Sequence, residues 1–243
     1  MVKLMDLLTE GIYDKGIFKA VFMAGGPGSG KSFVAKNIFG IPVDGVNISV
    51  QGLKTVNSDR EFKFLLRKYG FDPQFLDLYP AGTFDDEGGM RDFAKELTKQ
   101  RKLGYMDGKM GMIIDGTGHK FKKIKAEKEY LEKQGYDCSM VFVSTSLEVA
   151  QKRNTQRDRV LDPKIVEKSW KGTRKNLGGY KKLFKNNFAL VHYDKHLDDQ
   201  EARHFFSKLI KGPANKFASE PIKNPIGQKW VKDHLDLKNR GIK

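Results

Sequence analysis

Short apolar runs recur along the chain and are separated by longer segments with a different spacing. Runs of about four to eight apolar residues that stop at glycine or polar residues are typical of strands buried in a sheet. These runs predict five strands, at Ile17–Ala24, Leu53–Val56, Met110–Ile114, Ser139–Ser144 and Phe188–Tyr193.

The segments between the runs place apolar residues three or four positions apart, which is the spacing of one helix face. They predict helices over residues 31–39, 60–69, 90–103, 120–133, 147–157, 164–176 and 199–210. Because strands and helices alternate, we expect a three-layer α/β fold, in which a mostly parallel five-stranded sheet carries helices on both faces.

The same pattern divides the chain into three parts. Residues 1–16 are predicted to be an N-terminal appendage, and residues 17–210 to be the α/β domain. Residues 211–243 hold three prolines and a net charge of +5, which predicts a loosely packed basic tail with a short helix near Trp230.

Composition excludes several classes of protein. A hydrophobic content of 39% argues against a wholly disordered chain. The single cysteine, Cys138, excludes an intramolecular disulfide and any metal site built from several cysteines. No apolar run approaches the roughly 18 residues of a membrane span, and the N-terminus lacks the apolar core of a signal peptide. We therefore expect a cytoplasmic protein without a membrane partner.

Positive charge is concentrated in one part of the chain. The formal net charge is +15, and residues 152–185 supply +9 of it with twelve basic and three acidic residues. Such a run is often only a solvated helix face. Clustered cations also raise the local concentration of polyanions, so the stretch is a candidate surface for nucleic acid. The composition leaves both interpretations open.

A glycine-rich motif follows the first predicted strand and precedes the first predicted helix. Gly25-Gly26-Pro27-Gly28-Ser29-Gly30-Lys31-Ser32 satisfies G-x-x-x-x-G-K-[ST] in the strand–loop–helix context that this phosphate-binding loop requires. Its glycines allow the backbone N–H groups to surround phosphate oxygens. Lys31 is predicted to reach the β- and γ-phosphates, and the Ser32 hydroxyl to bind Mg²⁺. The motif predicts a site for a nucleoside triphosphate.

Asp115 ends the third predicted strand, directly after Ile113-Ile114. In phosphate-loop proteins an aspartate at such a strand end helps to hold Mg²⁺, although an aspartate there can also simply cap a turn. Its position relative to the phosphate loop favours the metal role.

Other residues distinguish among the classes of protein that use this loop. A GTPase of the Ras type would carry N-K-x-D, which the sequence lacks. AAA-type machines usually carry glutamate after the strand-end aspartate, whereas Gly116 stands here. A kinase needs a base beside the acceptor hydroxyl and an arginine-rich lid over the transferred phosphoryl group.

The sequence offers candidates for both kinase parts. Asp59 closes the second predicted strand and is a candidate base, with a helix N-cap as the structural alternative. R-N-T-Q-R-D-R places Arg153, Arg157 and Arg159 in a candidate lid over residues 153–162, with a solvated helix end as the alternative. Arg153 and Arg157 would share one helix face.

The order of these motifs resembles P-loop kinases of the zeta-toxin and polynucleotide-kinase-like group. The resemblance spans roughly residues 17–195 and rests on G-x-x-G-x-G-K-S, N-x-D, D-G-T and R-x-x-x-R-x-R. It implies a kinase-type P-loop NTPase fold and transfer of the γ-phosphoryl group of ATP–Mg²⁺ to a hydroxyl. Polynucleotide kinases tend to have asparagine where Gly118 stands, and zeta toxins tend to have glutamate at the position of Asp115.

The resemblance also assigns site residues. The implied catalytic residues are Lys31, Asp59, Arg153, Arg157 and Arg159, and the D-x-T motif corresponds to Asp115 and Thr117. Contacts to ATP are implied for Gly25, Gly26, Pro27, Gly28, Ser29, Gly30, Lys31, Ser32 and Phe33, and contacts to Mg²⁺ for Ser32 and Asp115.

Different features of the sequence favour different classes of phosphate acceptor. Residues 60–109 lie where kinases of this group build the acceptor pocket, and they contain nine aromatic residues together with Asp85-Asp86-Glu87. The clustered acids favour a small neutral or sugar-like acceptor such as a nucleotide sugar, whereas the basic stretch favours a nucleotide-related or polynucleotide hydroxyl. A third alternative is a nucleic-acid-binding protein with a degenerate nucleotide site.

The first ten residues resemble a leader peptide. MVKLMDLLTE is similar to the short leaders of internal head proteins of T-even-type phages, which are removed after Leu/Ile-x-Glu, here Leu8-Thr9-Glu10. An amphipathic helix is the alternative. The leader interpretation implies a phage protein found in the host cytoplasm or the phage head.

Overall fold

A computed structural model gives the architecture of the chain. It describes residues 12–14, 16–41, 48–72, 84, 89–156, 160–194, 200–201, 204–205, 207 and 213–240. The candidate leader over residues 1–10, most of the helix expected over 199–210, and the acids at 85–87 lie outside these described residues.

In the described part of the chain, five parallel strands form one sheet. They are β1 (Lys19–Ala24), β2 (Lys54–Val56), β3 (Met112–Asp115), β4 (Asp137–Ser144) and β5 (Phe188–His192). Their spatial order is β2-β3-β1-β4-β5, and every neighbouring pair runs parallel. The predicted three-layer α/β fold with a five-stranded sheet is confirmed.

Nine α-helices have both ends within the described residues. They are α1 (Lys31–Phe39), α2 (Ser58–Lys68), α3 (Met90–Asp107), α4 (Phe121–Lys133), α5 (Leu147–Thr155), α6 (Pro163–Lys175), α7 (Leu177–Phe184), α8 (Pro213–Ser219) and α9 (Pro225–Asn239). The sequence analysis missed α7 and α8, because each is only about two turns long and α7 follows α6 after a single residue.

The central strand β1 is buried over its whole length, and its side chains alternate between two cores. Val21 and Met23 pack with the α1 and α8 side of the sheet. Ala20 and Phe22 pack on the opposite side, where α4 and α7 contribute Leu131, Tyr180 and Phe184. A strand that is covered on both faces consists of a continuous run of apolar residues. This explains why the first apolar run of the sequence is nearly uninterrupted.

The segment after residue 213 is packed against the domain, so the expectation of a loosely packed tail is wrong for residues 213–240. Phe217 and Ala218 of α8 are buried in one core. Trp230 of α9 lies edge-to-face with Phe18, with ring centroids 5.4 Å apart. The predicted short helix near Trp230 is a 15-residue helix.

Asp137, at the start of β4, anchors this segment. Its carboxylate accepts hydrogen bonds from the backbone N–H groups of Lys223 and Asn224, each at 2.8 Å. The same carboxylate pairs with Lys19 at 2.8 Å, and the Lys19 side chain is only 5% exposed. Asn224 then caps α9 by accepting from the N–H of Ile226. One carboxylate therefore ties the C-terminal helix to the amino edge of the sheet.

Within the described residues, no helix combines the length and the apolar content that a membrane span needs.

We predict that Asp137→Asn lowers the free energy of unfolding by about 2–3 kcal/mol, because it leaves the buried Lys19 ammonium without its counter-ion and weakens two charge-assisted hydrogen bonds. Urea unfolding measures this loss. Glu129→Gln is the control, since its pair with Lys125 joins two exposed side chains at 3.7 Å and is worth less than about 0.5 kcal/mol. Equal losses in the two variants would contradict the anchoring role.

Candidate active site

The phosphate loop lies at the carboxyl end of β1 and is shaped by close packing. Gly28 and Gly30 have φ values of 74° and 85°, in the left-handed region that favours glycine. A Cβ atom at Gly28 would overlap the carbonyl oxygen of Ala150, and one at Gly30 would lie 2.5 Å from the Tyr193 ring. The two glycines are therefore required by both the backbone conformation and the neighbouring side chains.

The loop leads into α1 with its N-terminal groups uncapped. Gly30 is the N-cap residue, and as a glycine it has no side chain to cap the helix. Backbone N–H groups of a first helical turn have no partner within the helix, so they are available to an anion. Lys31 donates from Nζ to the carbonyl oxygen of Gly25 at 2.6 Å, which holds its ammonium over the loop. This geometry fits the predicted triphosphate site.

Asp115 lies beside the loop because β3 pairs directly with β1. The register places Asp115 opposite Met23, two residues before Gly25. Gly116 N–H donates to the Met23 carbonyl at 3.1 Å, and Gly25 N–H donates to the Thr117 carbonyl at 3.2 Å. These two bonds join the D-G-T segment to the phosphate loop.

The Asp115 carboxylate has one oxygen engaged and one without a partner. Oδ2 accepts from Asn57 Nδ2 at 2.8 Å, whereas Oδ1 is shielded from solvent and has no hydrogen-bond partner among the described residues. Burial raises the pKa of Asp115, and the nearby Asp59 raises it further, while the Lys31 ammonium opposes the change. A shielded carboxylate oxygen without a donor is suited to a cation.

Helices α6 and α7 hold the D-G-T segment from the other side. Thr173 Oγ1 donates to the Thr117 carbonyl at 2.9 Å, and the Tyr180 hydroxyl donates to the Gly118 carbonyl at 2.8 Å. Asn176 Nδ2 donates to the carbonyls of Gly118 and His119. Sequence reasoning missed these three donors, because no local pattern shows that α6 and α7 return to this edge of the sheet.

Asp59 stands at the same edge but is not the N-cap that the sequence analysis considered as an alternative. Asn57 is the N-cap of α2, and its Oδ1 accepts from the N–H of Asp59 at 2.8 Å. Asp59 lies in the first turn with a side chain 78% exposed, and its carboxylate is 4.0 Å from Arg91 of α3. Arg91 itself lies over the Phe62 ring at 4.3 Å. The candidate base is thus accessible to a substrate.

Only the first of the three candidate lid arginines is described. Arg153 donates from one guanidinium nitrogen to the Tyr193 carbonyl at 2.8 Å and lies 4.1 Å above the Tyr193 ring. Burial lowers the pKa of Arg153. Helix α5 ends at Thr155, two residues before Arg157 in the sequence. Arg157 and Arg159 lie outside the described residues.

Phe33 and Tyr193 complete the wall beside Gly30. Their rings stack with centroids 5.3 Å apart and an interplanar angle of 12°. Arg153 therefore covers one end of the phosphate loop together with two aromatic rings. At the other end, the Trp170 backbone packs against Gly26, and Arg174 lies 5.1 Å from the Trp170 ring. Neither Trp170 nor Tyr193 was singled out from the sequence.

A family model described as an AAA domain matches residues 21–178. This is well over half of the chain. The chain belongs to the AAA domain family. No curated protein sequence matches it.

Solved structures resemble this AAA domain at low sequence identity. The PezAT toxin–antitoxin structure from Streptococcus pneumoniae aligns with a TM-score of 0.51 and 16% identity, covering 96% of this chain and 90% of that one. Shikimate kinase from Bacteroides thetaiotaomicron gives 0.47 and 12%, covering 79% and 97%. The Pnkp1/Rnl/Hen1 RNA repair complex gives 0.48 and 17%, covering 68% of this chain and 46% of that one. The fold is that of a P-loop NTPase.

The family match contains the phosphate loop, Asp59, Asp115 and Arg153, while α8 and α9 follow its end. Within this AAA domain Gly116 still follows Asp115, so the glutamate that the sequence analysis associates with AAA-type machines is absent at that position.

We predict that Asp115→Asn raises the melting temperature of the nucleotide-free protein at pH 7. A raised pKa means that the ionised carboxylate destabilises the folded state above the ordinary pKa of aspartate. The amide removes that charge and can still accept from Asn57. The difference between variant and wild type should shrink as the pH falls and should disappear below about 4, where Asp115 is protonated in both the folded and the unfolded state.

Thermal unfolding followed by circular dichroism at several pH values measures this effect. Asp233→Asn, an exposed change on α9, should leave the melting temperature unchanged. A lower melting temperature for Asp115→Asn at pH 7 would show that the carboxylate stabilises the empty site.

Proposed function

We propose that this protein is a phosphotransferase that moves the γ-phosphoryl group of ATP–Mg²⁺ to a hydroxyl of a nucleotide-related or polynucleotide acceptor. The observation that carries the proposal is the convergence of three groups at one sheet edge. Lys31 stands over an uncapped helix N-terminus, Asp115 presents an unpartnered carboxylate oxygen beside it, and Asp59 is exposed nearby.

The nucleotide side of the site uses the backbone and Lys31. The N–H groups of the loop and of the first turn of α1 surround the phosphates, and the Lys31 ammonium moves from the Gly25 carbonyl to the phosphate oxygens. Charge-assisted bonds to phosphate are stronger than the bond to a neutral carbonyl, which favours this exchange. Arg153, Arg157 and Arg159 are proposed to neutralise charge that develops on the transferred group.

The residues present fit a magnesium ion. Asp115 supplies a shielded carboxylate oxygen without a donor, and Ser32 supplies a hydroxyl at the start of α1. Mg²⁺ is usually bound by one or two such groups together with substrate phosphates. When bound, it would withdraw charge from the β- and γ-phosphate oxygens.

In the proposed transfer, Asp59 acts as the base that accepts the proton of the acceptor hydroxyl. The acceptor oxygen forms a bond to the γ-phosphorus as the bond from that phosphorus to the bridging oxygen breaks, and ADP leaves. The proton of the acceptor hydroxyl passes to the Asp59 carboxylate. Arg91, 4.0 Å from that carboxylate, provides a positive charge on the acceptor side.

Surface charge supports an anionic acceptor. Lys164, Lys168, Lys175, Lys181 and Lys182 are exposed on α6 and α7. These are the helices that hold the D-G-T segment, so their charge lies on elements attached to the site. A polynucleotide end is attracted by such a surface, and its binding should weaken steeply with added salt.

A nucleic-acid-binding protein with a degenerate site is the second candidate, favoured by the same exposed lysines. Incubation with γ-labelled ATP and a panel of nucleosides, nucleotide sugars and 5′-hydroxyl oligonucleotides separates the candidates. Label in oligonucleotides supports the proposal, and label in the sugars alone would establish a small-molecule kinase. Salt-dependent nucleic-acid binding without any transfer would establish the second candidate.

We predict that Lys31→Ala lowers phosphoryl transfer at least about 100-fold, since it removes a charge from the transferred group. ATP consumption and product label are measured together. Lys36→Ala is the matched control, an exposed lysine on the same helix, and it should retain wild-type transfer. Unchanged ATP consumption in Lys31→Ala would refute the assignment of the loop.

We predict that Asp59→Asn lowers kcat by about 10²–10⁴-fold, the usual contribution of a positioned base, and leaves ATP binding intact. Single-turnover transfer measures the first effect, and equilibrium binding of a non-hydrolysable ATP analogue measures the second. Asp233→Asn serves as the control. Full transfer by Asp59→Asn would remove it from the catalytic machinery while leaving the phosphotransferase assignment in place.

A further inference from the structure

Asn57 lies between β2 and α2 and uses both ends of its side-chain amide. Nδ2 donates to Asp115 Oδ2 at 2.8 Å, and Oδ1 accepts from the backbone N–H of Asp59 at 2.8 Å. We propose that Asn57 is a positioning residue that couples the cation site at Asp115 to the helix start that carries Asp59. This inference rests on the proposed function for the roles of those two aspartates.

The two bonds determine the orientation of the amide. If the group were flipped, its oxygen would face the carboxylate of Asp115 and its NH₂ would face the Asp59 N–H, so both contacts would become repulsive. Asparagine supplies one donor and one acceptor from a single planar group. Aspartate and serine are other common N-cap residues, but neither can supply both bonds at these two positions. An ionised aspartate has no donor for Asp115, and the serine side chain is too short to reach it.

The bond to Asp115 orients the carboxylate. It occupies Oδ2 and leaves Oδ1 as the shielded atom without a partner among the described residues. Outer groups that hydrogen-bond to a metal ligand fix its rotation, and their loss typically weakens metal affinity by about 10–100-fold. Asn57 is therefore placed to determine which carboxylate oxygen faces a cation.

The bond to Asp59 fixes the start of α2. Asn57 has extended backbone angles, with φ −149° and ψ 115°, as an N-cap requires. Only Ser58 separates it from Asp59, and the candidate base lies in the first turn that the cap stabilises. A change in the Asp115 carboxylate on cation binding is thus transmitted through one amide group to the helix turn that faces the acceptor.

The test compares Asn57→Ser with wild-type full-length protein. Serine is a good N-cap, so the helix start is kept, but its side chain has no NH₂ and is too short for Asp115. With ADP present, the dissociation constant of Mn²⁺, measured by electron paramagnetic resonance, should rise about 10-fold or more. Hydrogen exchange of the first-turn amides of α2 should slow on adding Mn²⁺ in wild type and not in Asn57→Ser.

Asn224→Ser is the matched control. Asn224 also caps a helix with Oδ1, and its Nδ2 donates to the Glu132 carbonyl at 2.7 Å, but it lies at the amino edge of the sheet. Its loss should change thermal stability without changing Mn²⁺ affinity.

Two outcomes would overturn the proposal. One is unchanged Mn²⁺ affinity in Asn57→Ser. The other is a metal-dependent change in α2 exchange that persists in that variant. Neither readout needs phosphoryl transfer, so a failure of the proposed function would show separately in the labelled-ATP panel, while these measurements still decide the role of Asn57.

Discussion

The candidate site depends on the direct pairing of β1 with β3. Parallel pairing brings the carboxyl ends of both strands to one edge, and the register of Met23 with Asp115 sets the phosphate loop beside the strand-end carboxylate. The backbone bonds from Gly116 and Gly25 then tie the two loops together. A shift of one residue would turn Asp115 toward the other face of the sheet, because successive side chains of a strand alternate.

The two edges of the sheet use charge in different ways. At the amino edge, buried charges are paired. Lys19 meets Asp137 at 2.8 Å, and Lys54 meets Asp14 at 2.6 Å with both side chains under 10% exposed. At the carboxyl edge, Asp115 has a raised pKa and an oxygen without a donor in the described structure. At the carboxyl edge, the incompletely paired groups can still interact with a phosphate or a cation. At the amino edge, the paired charges stabilise the fold.

Helices α5 to α7 link the two ends of the candidate nucleotide site. Arg153 of α5 lies over Tyr193, α6 packs its Trp170 backbone on Gly26, and Thr173 holds the D-G-T segment. The residues between α5 and α6 include the other two candidate lid arginines. The part of the chain that carries the candidate lid is therefore continuous in sequence with the helices that contact the phosphate loop and hold the D-G-T segment after β3.

Local sequence patterns were sufficient to predict much of the fold and part of the candidate site. The five strands, the loop from Gly25 to Ser32 and the strand-end position of Asp115 followed from apolar runs, glycine spacing and strand periodicity, because each depends on neighbours in sequence. Strand order, and with it the contact of Asp115 with the loop, needed tertiary structure. The roles of Asn57, Thr173 and Tyr180 also needed the tertiary structure, because their hydrogen-bond partners lie 56 to 62 residues away in the sequence. The C-terminal helices were misjudged for the same reason: their prolines and charges suggest a loose tail, whereas Asp137 supplies the distant partner that holds them in place.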